Sequence, residues 1–403
     1  MDDPTQMPSI QRAHRLQGHL EADPDNLALL GEIADLYLQS GETSQARPML
    51  ERLSALCPLD AGLRYRMAAL LFQERRHEES LALTQAILDA GERHPAVRHQ
   101  HALTLVQLQR FDDAAPLLAE LIADHWDIPE LPHLYIRTLH HAGLIDEAIV
   151  YAGQHLADQP EDPLAGGMLS LLYLDGDRPA DARAAARHAL ARSPDNRDAL
   201  VALGFADLVF GEVAQAESSF RRAAGLDPRN GRAHLGLGLG AMLAGDLAGA
   251  RTALEQAVAC MPRHLGSWNA LAWVQILQGD MDGAQRTLSH SLEIDRNFGE
   301  TYGGLAVVAA RRGDAAQARL LAARARRLQP DGFSGRFASS LLQLQRGRAG
   351  PAENFVDTLL ASLVVPGAGD LRDMVRRFGE AGKGAHAPAL SEPLPDGRPH
   401  TVH

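Results

Sequence analysis

Hydrophobic and polar positions along the chain return on a period of 34 residues. Pro160, Pro194, Pro228, Pro262 and Pro330 fall on one register, with Arg296 in the single missing place. Ala46, Ala114, Ala148, Ala182, Ala216, Ala250, Ala284, Ala318 and Ala352 fall on another, with Ser80 in the gap. Both registers run without an insertion. Self-similarity at this period predicts stacked helical hairpins, each too small to bury its own apolar face. Leu203, Leu237, Leu271 and Leu305 supply an apolar stripe at helical spacing in the first helix, helix A. Gly211, Gly245, Gly279 and Gly313 end helix A, and each precedes an acid (Glu212, Asp246, Asp280, Asp314) near the start of helix B. An Asp-Pro or similar pair then stops helix B.

The unit resembles the tetratricopeptide-repeat family. In residues 197–230 its pattern reads Leu200, Leu203, Gly204, Ala216, Phe220, Ala223 and Pro228. In residues 265–298 it reads Trp268, Leu271, Ala272, Ala284, Leu288 and Ser291. The small residue of helix A (Gly204, Gly238, Ala272) and the alanine of helix B let two backbones approach. The resemblance implies an all-α, right-handed superhelical solenoid of helix-turn-helix repeats. Ten units are expected, starting at Leu27, Ala61, Pro95, Pro129, Pro163, Arg197, Gly231, Leu265, Gly299 and Phe333.

The expected organisation is a capping helix in 1–26, a degenerate arm over 27–128 and a regular array over 129–364. A second capping helix follows in 365–382, with Leu371, Met374, Val375 and Phe378 on one face, and then a disordered tail over 383–403. Pro129 and Pro132 at the start of one helix A should shorten it. Ordinary degeneracy and a hinge both account for that segment.

The resemblance implies an inner, concave surface lined by helix A at repeat positions 2, 5, 9, 12 and 13. Here those places hold Leu164, Leu171, Leu174, Val201, Phe205, Leu208, Val209, Leu235, Leu239, Met242, Leu243, Trp273, Ile276 and Leu277. An apolar surface of this extent marks an interaction site, expected to take an amphipathic helix or extended peptide of another protein. Two special modes of the family are missing their residues. A clamp for C-terminal carboxylates needs Lys and Asn where Val201, Phe205 and Leu235 stand; an asparagine ladder meets Ala202, Gly236, Ala270 and Gly304. Secondary candidates are His99 and His133, which share one inner position, with His140 and His141 two turns on, and the arginines Arg319, Arg324, Arg326 and Arg327 of a helix B. A solvated face, a polar recognition face and, for the arginines, an acidic partner remain open readings.

Net charge is −12, which argues against a nucleic-acid partner, because phosphate neutralisation needs clustered Lys and Arg. Two distant cysteines, Cys57 and Cys260, fit a reducing compartment. The start of the sequence has no basic and apolar leader pattern and no run has the length of a membrane span, so a cytoplasmic location is expected. Gly236-Leu-Gly238-Leu-Gly240 follows no strand and falls inside helix A, so it is packing glycine rather than a dinucleotide loop. His77-Glu78-Glu79 lacks the second histidine of a zinc-protease helix, and no nucleophile elbow or phosphate loop occurs. No catalysis, cofactor or metal is expected. The functional expectation is a scaffold or adaptor. Alternatives are an assembly or secretion chaperone, or a recruiting subunit of a separate enzyme; self-association is left open.

Overall fold

The computed structural model of the chain describes residues 9–345, apart from 59 and 127. These residues form twenty helices and no strand. They divide into two compact units after Pro160. The first holds α1 (Ser9–Ala22), α2 (Leu27–Gln39), α3 (Thr43–Leu56), α4 (Ala61–Gln73), α5 (His77–Asp89), α6 (Pro95–Gln107), α7 (Phe111–Ala123), α8 (Leu131–His141) and α9 (Ile145–Asp158). The second holds α10 (Pro163–Asp175), α11 (Pro179–Arg192), α12 (Arg197–Val209), α13 (Val213–Leu226), α14 (Gly231–Leu243), α15 (Leu247–Cys260), α16 (Leu265–Leu277), α17 (Met281–Ile294), α18 (Gly299–Arg311), α19 (Ala315–Leu328) and α20 (Phe333–Gln345). The division falls one hairpin beyond the irregular segment at 126–132.

Nine of the ten expected helix A starts coincide with the observed ones. The exception is α8, which begins at Leu131 rather than Pro129 and has 11 residues instead of 13. The expected helix in 365–382 and tail in 383–403 lie outside the described residues.

Each hairpin closes on the same two positions. The alanine register of helix B, with Ser80 in its gap, is fully buried from Ala46 to Ala318. Opposite it, helix A carries Ala34, Ala68, Ala102, Gly204, Gly238, Ala272 and Ala306. A Cβ on Gly238 would meet the Leu254 side chain, and one on Gly204 the Phe220 ring. Phe220 of α13 is fully buried and fills the space left by Gly204 of α12 and Gly236 of α14.

Helix ends follow local chemistry. The residue before helix A accepts a backbone N–H through its side chain at Asn26, Asp60, Asp162, Asn196, Asn230 and His264. Helix B is capped in the same way by Asp246, Asp280 and Asp314, while Glu212 makes no such bond. The turn between A and B needs a left-handed residue. Gly41, Gly143, Gly211, Gly245, Gly279 and Gly313 supply it without cost, but Arg75, Gln109 and Asp177 occupy the same register at φ of 62°, 59° and 55°.

In the first unit the gap in the alanine register seeds a polar core. Ser80 Oγ donates to the Ala68 carbonyl at 2.8 Å, and Thr84 Oγ1 lies 2.8 Å from His101 Nδ1. Burial holds the His101 imidazole below its ordinary pKa, and His99 on the same helix is lowered for the same reason.

Three outcomes test this account. Arg75→Gly should raise the thermal midpoint by about 1–3 °C, the left-handed strain relieved being about 0.5–1 kcal/mol net of glycine entropy. Gly303→Ala should lower the unfolding free energy by about 1–3 kcal/mol, because the added methyl meets the backbone of Gly335 and Ser334. Finally, the folded chain resists protonating His101 and His99 while the unfolded chain does not. Stability is therefore complete above about pH 6.5 and falls as pH drops below it. His101→Gln should flatten the midpoint-against-pH profile; profiles that stay parallel to wild type would refute the assignment.

Candidate functional site

Within each unit, successive helices A touch one another (α2 with α4, α10 with α12, α18 with α20), whereas successive helices B are not in comparable contact. In each stack the closer neighbour contacts therefore lie on the helix A side.

Helices A do not approach equally along the second unit. Gly167 lets the start of α12 close onto α10: a Cβ there would strike the Asn196 side chain, which itself bonds the Pro163 carbonyl. At the other end Gly303 lets α20 lie directly against α18. The inner side is tight enough there for alternate repeats to meet. Arg232 of α14 reaches Asp175 of α10 at 3.2 Å, and the Trp273 indole N–H of α16 donates to Ser334 Oγ of α20 at 2.9 Å.

These approaches sort the expected contact residues. Val201, Leu208 and Ile276 are buried in the unit's own core and offer no surface. Trp273 is covered at one end by its own chain: Phe333 and Phe337 pack edge-on against it at 5.2 and 5.3 Å. Leu171, Leu174, Phe205, Leu235, Leu239, Met242, Leu243 and Leu277 are partly buried, and Val209 is 53% exposed. Phe205, Leu239 and Leu243 pack inward on Leu208 and Phe220 while keeping one side open. The accessible apolar surface is thus the stretch over α12, α14 and the end of α16. Leu164, at 46% exposure, stands apart beside a polar hollow lined by Asp195, Asp198 and Asp227. Burial raises the Asp198 carboxyl above its usual range against the pull of Arg232 and Arg197.

The secondary candidates separate as well. His99 is half-buried, with its Nε2 shielded from solvent. His133 packs edge-on against His155 at 5.9 Å, and His140 stacks on His141 at 5.6 Å. Arg324 places its guanidinium 4.2 Å over the Tyr302 ring, so it bridges α19 to α18 rather than standing free, while Arg327 is exposed in the last turn of α19. The sequence reading missed the closure of α20 over Trp273. Its signal was Gly303 at an inner position where neighbouring repeats carry Leu235 and Asn269. Among the described residues no helix is long and apolar enough to cross a membrane.

Sequence profiles of the tetratricopeptide repeat match residues 32–95, 99–163, 202–263 and 241–306. No curated protein matches the chain. In structure it is similar to a chain of the APC/C hetero-tetramer Cut9-Hcn1, with a TM-score of 0.51 at 14% identity and 93% of each chain covered. It is also similar to human IFIT1, solved as a dimer with m7Gppp-AAAA, with a TM-score of 0.53 at 12% identity, covering 84% of this chain and 90% of that one. At such identities the likeness is one of fold. Matched profiles span more than half of the chain and follow the hairpins seen in the structure: the chain belongs to the tetratricopeptide-repeat family.

Proposed function

We propose that the chain is a non-catalytic scaffold whose second unit holds an amphipathic helix or extended peptide of a partner protein on the inner face of α12, α14 and α16. Membership of the tetratricopeptide-repeat family supports a role in protein interaction. The observation that carries the finer reading is the apolar strip formed by Phe205, Val209, Leu239, Met242, Leu243 and Leu277, which the unit leaves partly open. Net charge of −12 favours a protein partner over the capped RNA carried by IFIT1.

The site is bounded by the two glycine-assisted closures, one at α10–α12 and one at α18–α20. That length suits a short segment rather than a folded domain. Leu239 and Leu243 also pack on Phe220, so their replacement risks the core; Val209, more than half exposed, does not. Affinity capture from native lysate followed by mass spectrometry, with Val209→Asp and Leu239→Asp/Leu243→Asp beside wild type, tests the assignment. A partner recovered by wild type should fall by about 100-fold in affinity with the double variant, since two desolvated carboxylates in an apolar contact cost several kcal/mol, and by about tenfold with Val209→Asp. Helicity by circular dichroism should stay at wild-type level. Undiminished binding by both folded variants would move the partner off this face.

A further inference from the structure

A cleft lies in the first unit, on residues the apolar strip does not involve. Between α6 and α8 is a cleft of about 490 Å³. Its floor is aliphatic: Leu134 is buried, and Leu103 and Val106 are partly so. Gln107, Arg137 and His141 are exposed at its rim. The ring of Phe111, which opens α7, stacks on His141 at 4.9 Å with 24° between planes and so fixes one wall.

The cleft has a cause in the sequence. Pro129 and Pro132 delay and shorten α8, removing the first turn that would lie along α6. Of the neighbouring helices A in this unit, α6 and α8 have the least contact.

Charge says what the cleft accepts. The chain is strongly acidic overall, yet no carboxylate lines this cleft. Arg137, at an inner position, pairs with no acidic side chain among the described residues. A guanidinium beside an aliphatic floor suits a carboxylate bound in two parallel hydrogen bonds, next to an aliphatic side chain that fills the floor. A nucleic acid would require several clustered cations, and this lining holds one arginine.

We propose that the α6–α8 cleft binds an acidic peptide segment of a partner protein, with a side-chain carboxylate on Arg137 and a neighbouring aliphatic side chain on Leu103, Val106 and Leu134. The site is independent of the strip over α12–α16, so the two can fail separately.

Fluorescence anisotropy on the full chain tests it, using a labelled Glu-Leu repeat peptide blocked at both ends and its Gln-Leu counterpart. The acidic peptide should bind about tenfold or more tightly than the neutral one, the margin expected of a charge-assisted bidentate pair. Arg137→Gln should abolish that preference, and Arg137→Lys should keep only part of it. Arg137 is exposed, so both variants should retain the wild-type circular dichroism spectrum. Val209→Asp should bind the acidic peptide as wild type does. Equal affinity for the two peptides, unchanged binding by Arg137→Gln, absence of binding, or loss with Val209→Asp would each overturn the assignment.

Discussion

Everything in this structure depends on how closely helix A can approach helix B within one hairpin. A side chain larger than alanine at either facing position would hold the backbones apart and leave the flanking leucines half-solvated. The register from Ala46 to Ala318 is therefore fully buried although those residues contribute little apolar area themselves. Their role is to let Leu50, Leu118, Leu254, Leu288 and Phe220 be buried, each contributing about 1.5–3 kcal/mol by removal from water. Phe220 shows the principle across repeats: two glycines on different helices make the hole that one ring fills.

The same currency of small residues sets the curvature. Where glycine sits on the inner side of helix A, as at Gly167 and Gly303, neighbouring repeats close tightly. Where leucine or phenylalanine sits there, the helices stand apart and expose apolar flanks. The apolar strip and its boundaries are thus two outcomes of one variable. The strip over α12, α14 and α16 is open because α10–α12 and α18–α20 are shut.

The first unit uses other means. Its core admits Ser80, whose hydroxyl donates to the Ala68 carbonyl, and Thr84, whose hydroxyl pairs with the His101 imidazole inside a low-dielectric interior. Its turns include Arg75 and Gln109 in left-handed conformations where glycine would be strain-free. Ile136 interrupts the small-residue rule at α8. The regular repeats admit buried polar groups too, where Asn269, Ser291 and Thr301 bond one another between α16, α17 and α18.

The sequence alone determined the hairpins, because a period of 34 residues is read from position without reference to distance. Helix starts at Leu27, Ala61, Pro95 and seven later places followed from that register, and only α8 departs, through the prolines that flagged it. The capping residues before helix A, from Asn26 to Asn230, stand on the same register, two places after the prolines that mark it. Tertiary structure decided which inner residues remain accessible. Val201 shares its repeat position with Leu235, and Leu208 and Ile276 share theirs with Met242, yet Val201, Leu208 and Ile276 are buried while Leu235 and Met242 stay partly open, and nothing in their own chemistry separates the two groups. The separation comes from the distance between adjacent helices A, which is fixed by residues one and two repeats away: Gly303 for Trp273, and Gly167 for the start of α12. Periodicity describes one repeat at a time, whereas exposure is a property of the neighbours that cover it.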